Sequence, residues 1–142
     1  MLGVAFADLD ELIVKHAGIS IPQIFEKYGQ AYFRTLESQE IQNIISQNGS
    51  VIATGGGAMV NADNADVAKR NGIVVFIDVD FDTCYERIAG DTNRPIVQSS
   101  TRAELLELYN TRKNSYAQNS DVKIDASNLS ITEICEKIKT FI

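Results

Sequence analysis

Ile73-Val74-Val75-Phe76-Ile77-Asp78 decides how this chain is read: five β-branched or aromatic residues in a row, closed by an aspartate. A half-buried strand alternates apolar and polar residues, whereas an unbroken apolar run of this length is what a strand buried on both faces requires. Such strands belong to parallel sheets whose faces are covered by helices. The run is therefore expected near the centre of a sheet.

Working outward, further short runs that read as strands cover Ala5 to Leu9, Ser50 to Thr54 and Asp121 to Asp125, each separated from the next by a longer helical pattern. This alternation is the sequence form of βαβ units and predicts an α/β fold, a parallel sheet covered by helices on both faces. Ser20-x-x-Gln23, Thr101-x-x-Glu104 and Ser130-x-x-Glu133 each match a capping box, which satisfies orphan N–H groups at a helix start. Gly29, Gly49, Gly72 and Gly90 stand where helices are expected to stop. Between Gln30 and Asn48 the residues Phe33, Leu36, Ile41, Ile44 and Ile45 follow the 3.6 period, with Arg34 and Glu37 one turn apart beside them. The one long irregular stretch is Asp91 to Ser100, which contains Arg94-Pro95.

The 142 residues, 44% apolar, suffice for one core and are read as a single domain, 1–142, with a lid loop at about 91–101. A formal charge of -6 argues against a nucleic-acid partner, since a phosphate backbone needs a cationic face. No apolar run is long enough to span a bilayer. Cys84 and Cys135 form no C-x-x-C pair and neither lies near His16, so zinc-ligand spacing is absent. Reduced cysteines and no secretory leader fit a cytoplasmic protein.

Three features can carry chemistry. Val51 to Thr54 runs straight into Gly55-Gly56-Gly57, where backbone N–H groups can approach a ligand without a Cβ in the way. This is not a Walker phosphate loop, which needs G-x-x-x-x-G-K-[ST]; no Gly-Lys pair occurs in the chain. Asp8-Leu9-Asp10 ends the first strand, and residues two apart share a side of a strand, so both carboxylates can enter the crevice at the carboxyl edge. One acid can serve a magnesium ion or accept a hydroxyl proton while the other holds an acceptor hydroxyl, unless Asp10 merely caps the helix that starts at Glu11. Arg34, Arg87, Arg94 and Arg112 are planar cations suited to carboxylate and phosphoryl oxygens, though any one alone is more often a solvated surface residue.

Taken together, Asp8-x-Asp10 after a strand, Phe33-Arg34 with Glu37, a strand into three glycines, Arg87 before Arg94-Pro95, and Arg112 with Tyr116 resemble shikimate kinase, a P-loop small-molecule kinase family, from Asp8 nearly to the C-terminus. Ser20-Ile21-x-x-Ile24-Phe25 is similar to a further stretch of that family. The resemblance implies phosphorylation of shikimate to shikimate 3-phosphate by ATP with Mg2+, in aromatic amino-acid biosynthesis, by a cytoplasmic monomer. It implies that Asp10 binds ring hydroxyls, Arg34 and Arg112 grip the carboxylate, and Gly55, Gly56 and Gly57 line the pocket. Asp8 is implied next to magnesium, directly or through a water, and next to the attacking hydroxyl. Glu37 is implied to orient Arg34, Arg94 to close over the γ-phosphate, and Arg87 to pack against adenine.

In that family a strand, a Walker loop and a helix, roughly 20–25 residues, precede the part matching Leu2 to Phe6. The chain is accordingly expected to be one begun too late in its reading frame and to be inactive or impaired without its phosphate loop. The family's strand order, 2-3-1-4-5, makes the absent strand central. Each unpaired ladder group in a buried sheet costs about 1–3 kcal/mol against a net stability of about 5–15, so a marginal fold or a gap closed by direct pairing of the flanking strands is expected. Two rival assignments remain: a non-catalytic shikimate-binding remnant, and a P-loop kinase for another small hydroxy acid such as gluconate.

Overall fold

The computed structural model describes residues 3–46 and 49–142. Four parallel strands alternate with helices: β1 (Ala5–Asp8), α1 (Leu9–Ala17), α2 (Ile21–Ile45), β2 (Ser50–Ala53), a 3-10 turn (Ala58–Val60), α3 (Ala62–Asn71), β3 (Val75–Asp78), α4 (Phe81–Ile88), α5 (Pro95–Ser99), α6 (Arg102–Asn119), β4 (Val122–Asp125) and α7 (Ile131–Lys139). All three expected capping boxes form, at Ser20, Thr101 and Ser130.

β1 pairs with β2 from Ala5 opposite Ser50 to Asp8 opposite Ala53, and β3 with β4 from Val75 opposite Val122 to Asp78 opposite Asp125. Among the described residues no ladder joins β2 to β3, so the sheet consists of two parallel pairs. The gap expected between the flanking strands is thus present, and direct pairing does not close it. One expectation is corrected: the Ile73 run is not a doubly buried central strand, since among the described residues β3 has a ladder on one edge only, Ile73 is 49% exposed and Ile77 44%. An apolar run reports that a strand is built to be covered; it does not supply the cover. Phe6, on β1, is 68% exposed.

The main core lies where α1, α2 and α3 meet: Leu9, Ile13, Ile24, Phe33, Ile41 and Ala65 are buried together with Met59 of the 3-10 turn. Phe25 and Phe33 meet with ring centroids 5.0 Å apart. Between them Gly29 ends one helical segment, as expected, and a second begins directly beyond it. It takes φ 82 and ψ 172, a region open in practice to glycine alone, and the chain resumes helical geometry beyond the kink. The kink allows both halves of α2 to pack on the core while Arg34 and Glu37 turn toward the strand ends. The amphipathic stretch expected to reach Asn48 is helical to Ile45, and Gln47 and Asn48 lie outside the described residues. His16 Nδ1 stands 2.6 Å from Glu40 Oε1, tying the last turn of α1 to α2.

The stretch from Asp91 to Ser100 is not irregular throughout. Pro95 begins the five-residue α5, as its fixed φ suits a first helical position and its missing N–H is not needed there. No described helix is long and apolar enough to cross a membrane.

Candidate active site

A cavity of about 320 Å³ opens at the carboxyl ends of the strands. Asp10 reaches it from the first turn of α1, Arg34 and Glu37 from α2, Gly56 and Gly57 from the turn after β2, Arg94 from the residue before α5, and Arg112 from α6.

Asp8 and Asp10 do not project side by side from a strand, because β1 ends at Asp8 and α1 begins at Leu9. A helix start needs acceptors for its free N–H groups, and Asp8 Oδ1 provides one, 2.9 Å from Asp10 N and 3.2 Å from Glu11 N. The cap of α1 is thus Asp8 rather than Asp10. Asp10 is left free to enter the cavity, while Asp8 is not among the residues lining it.

The three glycines each face a different charged side chain. A Cβ on Gly55, which has φ 69, would stand 3.4 Å from Asp10 Oδ1, and one on Gly56 would stand 3.2 Å from Arg112 Nη1. One on Gly57 would fall within 2.9 Å of Arg34 Nη2 and closer still to Nη1. Glycine is needed here less for turning than for letting three ionic groups lie against the backbone.

Glu37 is 2% exposed and accepts from Arg34 Nη1 at 2.6 Å, which fixes the direction of that guanidinium. Arg112 is partly buried and hydrogen-bonds the Tyr116 oxygen, but among the described residues it makes no ion pair with a carboxylate. Burial pulls its ionisation below the ordinary arginine value, with the neighbouring Arg34 adding to the effect. Glu37 holds Arg34, which leaves the Arg112 guanidinium without an ion-paired carboxylate among the described residues. A ligand carboxylate completes such a site.

Burial first, then the Asp8 charge, push the Asp10 carboxyl above its ordinary value, with Arg94 and Arg34 pulling it back. Burial likewise raises Glu37, against its hydrogen bond from Arg34. A carboxyl whose pKa is higher in the folded than in the unfolded state binds more protons when folded. Its contribution to stability therefore falls as pH rises from the ordinary value through the raised one, and stays lowered above it. Asp10→Asn should match the parent's unfolding midpoint at the acid side of that window and exceed it at neutral pH. Thermal unfolding across a pH series checks this; a variant less stable than the parent at neutral pH contradicts it.

The remaining expected site residues are placed unevenly. Arg94 lines the cavity with its Nε 3.0 Å from Asp91 Oδ2. Arg87, in the last turn of α4, is exposed and does not line it. Sequence reasoning gave no role to Phe76, Asp78, Lys113 or Tyr116, which also line the cavity. Asp78 closes the β3 run and is held by Lys123 at 2.8 Å and Lys113 at 3.1 Å. The α-helical spacing of Arg112, Lys113 and Tyr116 was the one signal that could have grouped them.

The family model described as SKI, shikimate kinase, matches residues 1–142. The shikimate kinase of Geobacter sulfurreducens is 39% identical over 142 residues, which cover 99% of this chain and 78% of that protein. That of Lactococcus lactis is 39% identical over 136 residues, covering 94% and 82%. Among solved structures, shikimate kinase from Acinetobacter baumannii in complex with shikimate superposes with a TM-score of 0.92 at 32% identity, covering 97% of this chain and 78% of the other. Shikimate kinase from Aquifex aeolicus gives 0.85 at 34% identity, covering 98% and 81%.

Proposed function

Because the chain belongs to the shikimate kinase family, we propose that its cavity takes shikimate as the acceptor of a phosphoryl group from ATP, with Mg2+, forming shikimate 3-phosphate. The observation that carries this reading is Arg112, a partly buried cation beside Arg34 on the glycine run that makes no ion pair among the described residues. Arg34 and Arg112 bind the acceptor carboxylate, and Glu37 keeps Arg34 aimed. Asp10 accepts from ring hydroxyls, and the glycines let the ring lie against the backbone. A compact carboxylated polyol suits this set better than an open-chain acid such as gluconate, because the cation pair and Asp10 face one small volume.

ATP supplies the phosphoryl group and magnesium the charge neutralisation. The residues present fit the acceptor end of that chemistry. Asp8 caps α1 through Oδ1, leaving its other oxygen as one ligand, direct or through water, for an ion that prefers oxygen donors. Asp8 does not line the cavity, so its action on the attacking hydroxyl would run through that ion or a water rather than by direct contact. Arg94, on a lid of about residues 91–101, closes over the transferred group, where an arginine can be worth roughly 10³–10⁵ in rate. Arg87 packs against the base. The α- and β-phosphates have no Gly-Lys cradle within these 142 residues. We therefore read the chain by itself as an acceptor binder with little or no turnover, acting as a cytoplasmic monomer.

Following ADP release with ATP, magnesium and shikimate tests this. The 142 residues alone should show no turnover above background, and a form carrying a strand, G-x-x-x-x-G-K-[ST] loop and helix ahead of Gly3 should turn over. Full activity of the shorter form, or phosphorylation of gluconate in preference to shikimate by the longer one, contradicts the reading. A longer form that binds shikimate and stays inactive favours the non-catalytic binder.

A further inference from the structure

We infer that Tyr116 is a positioning residue of the acceptor pocket: its hydroxyl, set between the Arg112 guanidinium and the Gly56 carbonyl, fixes the glycine run against Arg112 at the spacing an acceptor carboxylate needs. The inference rests on the acceptor reading of the cavity. Three consecutive glycines have the largest backbone entropy to lose, so a pocket wall made of them needs an external clamp. One face of α6 supplies it. Arg112, Tyr116 and Asn119 lie four and three residues apart, hence on one stripe of the helix. The Tyr116 hydroxyl donates to the Gly56 carbonyl and accepts from Arg112. Asn119 Nδ2 donates to the carbonyls of Met59, at 2.9 Å, and Val60, at 3.3 Å. From α3, Asn64 Nδ2 donates to the Ala58 carbonyl at 3.0 Å.

Tyr116 does one thing the two asparagines do not. Its ring lies 5.3 Å, centroid to centroid, from Phe76 of β3, while its hydroxyl holds Gly56, three residues beyond the end of β2 at Ala53. As β2 and β3 share no ladder, this side chain links the two strand pairs at the pocket. Burial raises its ionisation, against the pull of Arg112, so the phenol remains a neutral donor. Phenylalanine at this position keeps the ring contact and loses both hydrogen bonds, leaving the Gly56 carbonyl and Arg112 without their common partner.

Tyr116→Phe isolates the hydroxyl, and two readouts separate positioning from general stability. In shikimate titration the variant should bind about 10-fold more weakly, the loss of one or two hydrogen bonds to a charged site. In the ligand-free chain, amide hydrogen exchange should quicken at residues 55–58 and stay unchanged in β3, β4 and α1. Shikimate affinity within twofold of the parent overturns the inference, as does exchange that quickens everywhere in step. Should Tyr116→Phe fold poorly, Asn119→Ala on the same stripe is expected to quicken exchange at 58–60 and weaken shikimate in the same direction, and no change in either readout overturns the clamp. If the parent itself takes up no shikimate, it is the acceptor reading that fails; an unchanged glycine-run exchange rate in Tyr116→Phe then also rejects the clamp.

Discussion

Arg112→Ala should weaken shikimate binding about 100-fold while leaving the unfolding midpoint of the ligand-free chain unchanged or slightly raised. The two halves of that result have one cause. Arg112 is a partly buried cation that makes no ion pair among the described residues, so its desolvation is offset in the free protein chiefly by the Tyr116 oxygen and nearby Glu37. An arriving carboxylate adds charge-assisted hydrogen bonds worth about 1.5–3 kcal/mol, and roughly 1.4 kcal/mol is tenfold in affinity. Removing the guanidinium takes that gain away and removes the desolvation cost with it. Calorimetric titration and thermal unfolding of one preparation give both numbers. A variant that binds as the parent does, or one that loses binding only because it unfolds, contradicts the assignment.

Gly57→Ala should weaken shikimate binding by about 10- to 100-fold, with any loss of stability coming from buried Glu37 losing its partner rather than from the backbone. The backbone at Gly57, φ -115 and ψ -31, is one that alanine adopts, so the substitution is not opposed by local strain. The added Cβ instead claims the place of the Arg34 guanidinium, the far end of a flexible side chain that can swing out to solvent. Arg34 then leaves both the pocket and Glu37, and the acceptor loses its second cation. Gly55→Ala makes the contrast: there φ is 69, and the expected cost is about 1–2 kcal/mol of stability from the backbone. Titration of both variants with shikimate, beside their unfolding midpoints, separates the two mechanisms. Parent-like shikimate binding in Gly57→Ala contradicts this account.

How much of this was legible in the sequence depended on the range of the interaction involved. The strands, the three capping boxes and the helical face of Phe33 and Ile41 follow from periodicity and from partners three or four residues away, and all are present. The family resemblance put Asp10, Arg34, Gly55, Gly56, Gly57 and Arg112 in one pocket, and of these all but Gly55 line one cavity. Composition and spacing alone did not, since each arginine taken singly reads as a surface residue. One local reading failed for a local reason. α1 starts at Leu9, two residues before the Glu11 read from the sequence, so Asp8 rather than Asp10 caps it. Gly29 does stop a helical segment, because its positive φ breaks the helical geometry, but a second segment starts at once beyond it. Burial of β3 could not be read at all. An apolar run shows the surroundings a strand is suited to, whereas its exposure depends on which elements lie beside it, and among the described residues β3 has β4 as its one paired strand. The clamp on the glycine run is long-range, joining Tyr116 to Gly56 sixty positions away, and only the fold brings the two together.

The central claim is that these residues form a site for a carboxylated acceptor independent of any nucleotide. Titration of shikimate into the ligand-free chain, without ATP or magnesium, tests it most directly. One-to-one saturable binding in the parent, about 100-fold weaker in Arg112→Ala, is the predicted result. No saturable binding in a chain shown to be folded, or binding that Arg112→Ala leaves untouched, would contradict it.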